Sequence, residues 1–336
     1  MRRSHLILFF LITFLSACHL SEKKKIKLSI KIEDTNGLNN DSIIHLINER
    51  ICNFFKVDNA AISLGQIQNN IYSCAVNSAG YDSTTLKKLK RLFVMDRGVG
   101  FWNVYSNSET VPWFVAANDS LKKDIHLPPI DSNEIITPYS TGERFRKQNP
   151  IFAIFTANFS IKGPTPMGEG VAGVCKAQDT LDLMRYLKSE KLKDIFPKNI
   201  RFIWSLTTSK HVEGCYELYC LIPDHFTNGP SLELGPVISA NRVTDKNYGS
   251  NSIEFVMNKR DAPIWSGLTQ KSVGHSIAIS VGGKICSAPT VMSAIEGGHS
   301  SITGNFSNEE ADELAGILRA GKLPFKASVI NVEVIK

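Results

Sequence analysis

Ile302-Thr303-Gly304-Asn305-Phe306-Ser307-Asn308-Glu309-Glu310-Ala311, running on to Leu318-Arg319-Ala320-Gly321-Lys322-Leu323-Pro324, carries three structural instructions in a row. Residues 300–304 read as a short strand. Ser307 and Glu310 stand three apart ahead of a periodic apolar run, the spacing at which each side chain takes the other's free backbone N–H at a helix start. Ala311, Leu314, Ala315 and Leu318 then recur on one face, so a helix over residues 308–320 buries that stripe. Gly321 follows at the position where a left-handed residue ends helices. Residues 328–335 alternate apolar and polar as a half-buried strand. Asp312 and Glu313 fall on the polar side of the helix, where charges are normally solvated.

The same grammar extends upstream. Residues 253–257 read as a strand and 262–273 as a helix, with Pro263 tolerated in its first turn. Residues 276–281 and 284–288 flank Gly282-Gly283, a hairpin signal. At the other end, residues 26–32 alternate as a strand, and 36–40 are turn chemistry. Asp41 or Ser42 caps a helix whose apolar face is Ile43, Ile44, Ile47, Ile51, Phe54 and Phe55. A strand over 71–76, a helix over 84–93 with Leu86, Leu89 and Leu92 inward, and a strand over 100–105 complete a β-α-β-α-β order. That order implies an α+β fold with helices on one sheet face.

Between these halves the composition changes. Pro112, Pro128, Pro129, Pro138, Pro150, Pro164 and Pro166 interrupt residues 111–236. Helices are expected over 114–121 and 179–190, and strands over 201–206 and 216–222. This stretch reads as a subdomain inserted into the first, since insertions are tolerated where loops gather at the surface. The expected division is 28–110 and 237–336 for the two halves of a base, with 111–236 as an inserted α+β head.

The first residues set the compartment. Arg2 and Arg3 precede an apolar run over 6–14, and Leu15-Ser16-Ala17 precede Cys18. A basic region, a short apolar region and small residues before a cut make a secretory signal over residues 1–17. A cysteine directly after Leu-Ser-Ala makes it a lipoprotein signal, with Cys18 acylated and first in the mature chain. The apolar run is shorter than the roughly 20 residues that span a bilayer. Residues 18–27 form a polar tether. Its Lys23-Lys24-Lys25 run reads as solvated, with anionic headgroups as the functional alternative. His19-Leu20-Ser21-Glu22 carries no acidic run, which favours the periplasmic face of either membrane.

Composition narrows the chemistry. The 336 residues carry a formal charge of +6, 43% hydrophobic and 21% charged residues, ordinary for a globular chain. No basic stripe interleaved with aromatics points to nucleic acid. Six cysteines follow Cys18 without a Cys-x-x-Cys, and Cys215 and Cys220, five apart in a strand-like run, face opposite sides. Buried free thiols are expected. The histidines do not cluster at metal-ligand spacing, so no metal or cofactor is assigned. The glycine-rich run over 163–173 lacks the Gly-Lys-Ser/Thr ending of a phosphate loop. Gly297-Gly298-His299-Ser300-Ser301 lacks the Gly-x-Ser-x-Gly of a nucleophile elbow. His211 near Glu213 and His225 near Asp224 have no third partner in sequence. No catalytic residue is assigned, and the chain is not read as an enzyme.

Several blocks resemble the first periplasmic (P1) domain of SecD, the accessory subunit of the Sec translocon. They are the opening stretch quoted above, Ile277-Ala278-Ile279 through Gly283, Ser287-Ala288-Pro289 and Ile295-Glu296-Gly297-Gly298. Phe101-Trp102-Asn103-Val104-Tyr105-Ser106-Asn107-Ser108-Glu109 and Phe196-Pro197-Lys198-Asn199-Ile200-Arg201-Phe202-Ile203-Trp204 resemble the fused SecDF proteins of the Bacteroidota type. The resemblance implies a ferredoxin-like base of two halves with an inserted head that contacts translocating chains. Trp113, Phe114 and Phe155 are aromatics available to such a head surface, although each is more often core than interface. The family also carries a membrane bundle whose carboxylate couples proton flow to motion, and no position here corresponds to it. The expected function is a stand-alone, lipid-anchored, non-catalytic protein-binding accessory in protein export. Its expected partners are the membrane, through lipid on Cys18, and Sec subunits or translocating polypeptides. The alternative is an envelope scaffold or small-ligand-binding lipoprotein on the same fold.

Overall fold

The computed structural model describes residues 25–33, 37–56, 62–68, 70–77, 88, 92–93, 98–122, 142, 145–159, 167–245, 249–304 and 306–335. The expected signal over 1–17, Cys18 and most of the tether lie outside the described residues. So does the expected helix over 84–93, apart from Lys88, Leu92 and Phe93.

In chain order the elements begin with β1 (Lys25–Glu33), α1 (Asn40–Phe55), β2 (Ile62–Gln68), β3 (Ile71–Asn77), β4 (Val99–Val104) and α2 (Asn107–Lys122). The middle contributes β5 (Phe155–Ala157), β6 (Gly173–Lys176), α3 (Thr180–Leu187), β7 (Arg201–Trp204), β8 (Cys215–Ile222) and β9 (Leu232–Glu233). The last part is β10 (Ser239–Thr244), β11 (Asn251–Val256), α4 (Asp261–Lys271), β12 (Ile277–Val281), β13 (Lys284–Ser287), β14 (His299–Thr303), α5 (Asn308–Ala320) and β15 (Lys326–Ile335).

The fold is α+β with a ferredoxin-like base. Its sheet runs β15-β1-β3-β2, every neighbour antiparallel. With α1 after β1 and α5 before β15, this is the βαββαβ circuit of that fold. The alternation of β1 buries Leu28, Ile30 and Ile32 against Ile43, Ile47, Ile51 and Phe54 of α1. The cap of α1 is Asn39, two residues before Asp41 and three before Ser42: its Oδ1 accepts the Ser42 N–H at 2.8 Å.

Helix α5 begins with the expected capping box: Glu310 N–H donates to Ser307 Oγ (3.2 Å) and Ser307 N–H to Glu310 Oε2 (2.9 Å). It packs on α1 and also on β10 and β11, which with β14 form a second antiparallel sheet, β10-β11-β14. Being covered on more than one side changes its polar flank. Glu313, expected to be solvated, is 7% exposed, whereas Asp312 stays outside and pairs with Arg242 at 3.1 Å. Arg319 ties the helix to its neighbours by donating to the carbonyls of Asn53 and Phe54, oxygens that the end of α1 leaves open, and to the carbonyl of Ala240 on β10.

The third sheet runs β13-β12-β4-β8-β6-β5, with β7 on β8 and β9 on β4. The hairpin expected at Gly282-Gly283 joins β12 to β13, both glycines at positive φ. Ser205, just past β7, forms a parallel bridge with Ile285, and Leu206 N–H donates to Ile285 O at 2.7 Å. Strands β13-β12-β4-β8-β7 therefore close into a small barrel. Trp102, Leu221, Ala278, Ile285 and Ile203 fill it, and Trp102 Nε1 donates to Ser280 Oγ at 2.8 Å.

The middle stretch has its own core, built on Phe114, Phe155, Leu183, Phe196 and Leu218. It does not have its own sheet, because β8 pairs with β4. Composition divides the chain at 110 and 236, whereas the first sheet divides it after Asn77 and before Asn308. Prolines mark loops, and they carry no information about which strands pair. Cys52, Cys74, Cys175, Cys215, Cys220 and Cys286 are free thiols, as expected, all buried except the half-buried Cys286.

Candidate functional site: a cleft at the split in the barrel

Ser205 N–H donates to Glu217 O at 2.8 Å, toward β8. Strand alternation then turns the main-chain groups of Phe202, Trp204 and Leu206 the other way. Leu206 reaches Ile285. Upstream of the Ser205–Ile285 bridge β7 and β13 part, and among the described residues the far edge of β7 from Arg201 to Ile203 has no strand partner. Three side chains of this strand are committed elsewhere: Ile203 to the barrel, Phe202 and Trp204 to the middle core. What β7 offers at the split is backbone and the side chain of Arg201.

A cleft of about 1060 Å³ occupies the split. Its walls are β7, the turn into β13, the loop from Thr227 to Glu233 and the start of α4. The loop is held by Asp224, whose Oδ1 accepts from Phe226 N–H (3.1 Å), Thr227 N–H (2.9 Å) and Thr227 Oγ1 (3.0 Å). The bonds from Thr227 hold that carboxyl below its usual range. Pro230 sits over Gly100 so closely that a Cβ there would lie 3.0 Å from the ring, which is why β4 needs glycine at that point.

Asp261 at the start of α4 has no exposed side-chain surface. Its Oδ2 accepts from Gly235 N–H and Asn258 Nδ2, each at 2.8 Å, and its Oδ1 from Arg260 Nε at 2.7 Å. Burial pushes this carboxyl up, but the bonds from Arg260, Gly235 and Asn258 outweigh it and leave it below its usual range. Glu233 is held by Lys322 at 2.8 Å. Every carboxylate on the cleft walls is thus committed. Lys188, Arg201 and Lys284 also line the cleft, and among the described residues none of the three has an ion-pair partner. The surplus is positive.

A smaller hollow of about 470 Å³ holds a hydroxyl network. Glu217 accepts from Ser209 Oγ (2.7 Å) and Tyr219 OH (2.8 Å). Burial, and then Glu217, push the Tyr219 phenol well above its usual range. His211 enters only through its backbone N–H, which donates to Ser209 Oγ at 3.1 Å. Ser209 therefore gives its proton to a carboxylate and is not paired with a histidine base. Among the described residues no three of His, Cys, Asp and Glu gather where a metal could sit.

The residues singled out in sequence fall elsewhere. Phe114 and Phe155 are core, their ring centroids 4.6 Å apart, and Trp113 packs half-buried on Tyr105 and Phe196. They take the core role rather than that of a contact surface, because α2 and β5 turn those faces inward. Gly297 and Gly298 form a positive-φ turn, and Ser300 Oγ accepts from Trp265 Nε1 at 2.7 Å, a structural role. His225 packs against Phe226. Leu15, Ser16, Ala17 and Cys18 lie outside the described residues. Sequence reasoning missed the cleft, because its cations come from three separate elements and form no linear motif.

Residues 228–325 match the family model described as SecDF, P1 head subdomain. That segment supplies the cleft loop from Asn228, the start of α4, Lys284 and Lys322; it overlaps the stretch expected as the head only over 228–236. The chain resembles the periplasmic P1 domain of the protein translocase subunit SecD. SecD of Rhodothermus marinus is 30% identical over 188 residues, 55% of this chain and 28% of that one. SecD of Leptotrichia buccalis is 36% identical over 103 residues, 31% of this chain and 26% of that one. The chain thus spans little more than a quarter of these relatives. The crystal structure of SecDF in its super-membrane-facing form aligns over 94% of this chain and 31% of its own, at 17% identity and a TM-score of 0.46. A SecDF structure described as a membrane component that enhances protein export aligns over 92% of this chain and 100% of its own, at 18% identity and a TM-score of 0.45.

Proposed function

We propose that this chain is a non-catalytic accessory of protein translocation that binds polypeptide on the periplasmic side of the envelope, held to the membrane by lipid on Cys18. The observation that carries this reading is the coincidence of the SecDF P1 head match, residues 228–325, with one whole wall of the cleft. The lipobox Leu15-Ser16-Ala17 ahead of Cys18 supports the anchor. No helix among the described residues is long and apolar enough to cross a membrane. Two acyl chains, at about 0.8 kcal/mol per buried methylene, hold a protein firmly at a bilayer. The engagement of Ser209, Tyr219 and Glu217 with one another supports binding over chemistry.

Photo-crosslinking in intact cells, followed by recovery of the chain from membranes, tests this reading. Sec subunits or translocating polypeptides are expected among the adducts, and recovery of neither overturns it. Cys18→Ala is expected to move the chain from the membrane to the soluble fraction of the envelope; unchanged fractionation rejects the lipid anchor.

A further inference from the structure

We propose that the split between β7 and β13 takes an extended, acid-bearing polypeptide segment, which pairs with the free edge of β7 and sets its carboxylates against Lys188, Arg201 and Lys284. This rests on the polypeptide-binding reading above and specifies its ligand and its place.

Three observations point the same way. The first is the edge. Alternation from the Ser205 bond to Glu217 directs the main-chain groups of Phe202 and Trp204 away from β8; the Ser205–Ile285 bridge engages the Trp204 carbonyl with β13, and among the described residues no strand takes the N–H of Trp204 or the N–H and C=O of Phe202. An unpaired edge is a template for an incoming strand, whose main chain supplies the bonds while alternate side chains supply selectivity. The second is space. Among the described residues β13 bridges the strand line of β7 only at Ser205–Ile285, so the sheet is held open upstream by a cleft of about 1060 Å³. The third is charge. Asp224, Glu233 and Asp261 are each satisfied from within the protein, leaving three cations on two sides of the split. An incoming strand turns every second side chain to one side, so acids at alternate positions meet these cations together. A basic segment meets like charge at the same places, and like charges repel along a strand pair.

Backbone pairing supplies affinity without reading sequence, and the charged rim supplies a preference. The site therefore takes many polypeptides and discriminates by charge pattern.

The test uses the full chain, purified in detergent, and two labelled extended peptides identical except for glutamate or lysine at alternate positions. The glutamate peptide is expected to bind about tenfold more tightly at low salt, from several exposed charge contacts each of modest strength, and the ratio should shrink toward one as salt rises. Arg201→Ser combined with Lys284→Ser should reduce the ratio severalfold. Backbone hydrogen exchange should slow at Phe202 and Trp204 when the glutamate peptide is bound, a readout that needs no variant. Equal binding of the two peptides, or protection confined to residues away from β7, overturns the inference. If translocating chains are nevertheless crosslinked in cells, the polypeptide-binding reading survives that failure; if none is recovered, that reading fails on its own terms.

Discussion

Asp261 shows how a single buried charge holds two parts of the cleft wall in register. Its carboxylate receives Gly235 N–H from the strand side and Asn258 and Arg260 from the helix side. Because these bonds hold the folded carboxyl below its usual range, the unfolded chain takes up a proton more readily than the folded one. The stabilisation is therefore complete above the ordinary carboxylate range, about pH 4, and is lost as pH falls through the lowered folded value. Asp261→Asn keeps the shape but not the charge. Its stability in urea is expected to fall less than that of the wild type between pH 7 and pH 3; parallel losses in the two proteins would show that other carboxylates carry the acid sensitivity. Sequence could not announce this residue, since its partners lie 26 positions upstream as well as beside it. The same holds for Arg50, expected only as part of a helix. It is fully buried, and its guanidinium donates to Leu92 O at 2.9 Å and to Gly321 O. Burial of a cation is legible only once the carbonyls that satisfy it are in place.

At the scale of elements, the strongest local signals survived. The Ser307–Glu310 box, the Gly282-Gly283 hairpin and the alternation of β1 each state their structure within a few residues. β2 did not, and its register explains why. Its apolar positions Ile62, Leu64 and Ile67 break the period of two, and the pairing with β3 slips between Gln66 and Gln68. A bulge consumes a residue and shifts the later side chains to the other face. β5, β6 and β9 span three, four and two residues, too short for any period to show. Helix α5 adds a case where tertiary packing reverses a local rule. Replacing glycine inside a helix normally gains up to about 1 kcal/mol. A Cβ on Gly316 would lie 2.8 Å from Phe54 Cδ2 and 3.1 Å from Phe54 O. Overpacking of that kind costs about 1–3 kcal/mol, so Gly316→Val should lower stability by about 2 kcal/mol. Gly267 on α4 has open space where its Cβ would go, and Gly267→Ala should be neutral or slightly stabilising. Denaturant midpoints shifting in the same direction for both variants would contradict this account of the α1–α5 contact.

At the scale of the molecule, one core runs through the ferredoxin-like base and the second sheet, and another serves the middle stretch alone. The two are joined by β4 and β8, which pair over Asn103–Ile222 and Val104–Leu221, and by the Ser205–Ile285 bridge that closes the barrel. Regions joined by short stretches of backbone pairing should open separately, in cooperative units of unequal stability. Phe114 is the place to test this, since it is fully buried with its ring 4.6 Å from Phe155 and 5.8 Å from Phe196. Removing a buried phenylalanine side chain costs about 3–5 kcal/mol, comparable to the stability of a modest unit. In Phe114→Ala, amide exchange should therefore accelerate in α2, α3 and β6. The amides of β1 and β15 should keep their protection, because their ladder depends on none of those residues. The cleft lies on the boundary: β7 takes Phe202 and Trp204 from the middle core, whereas the start of α4 belongs with the second sheet. Loosening the middle core should free one wall and leave the other, so the same variant should weaken polypeptide binding while the base stays folded. If exchange instead accelerates equally in β1, β15 and α2, the chain unfolds as one unit, and the wall formed by β7 cannot move independently of the base.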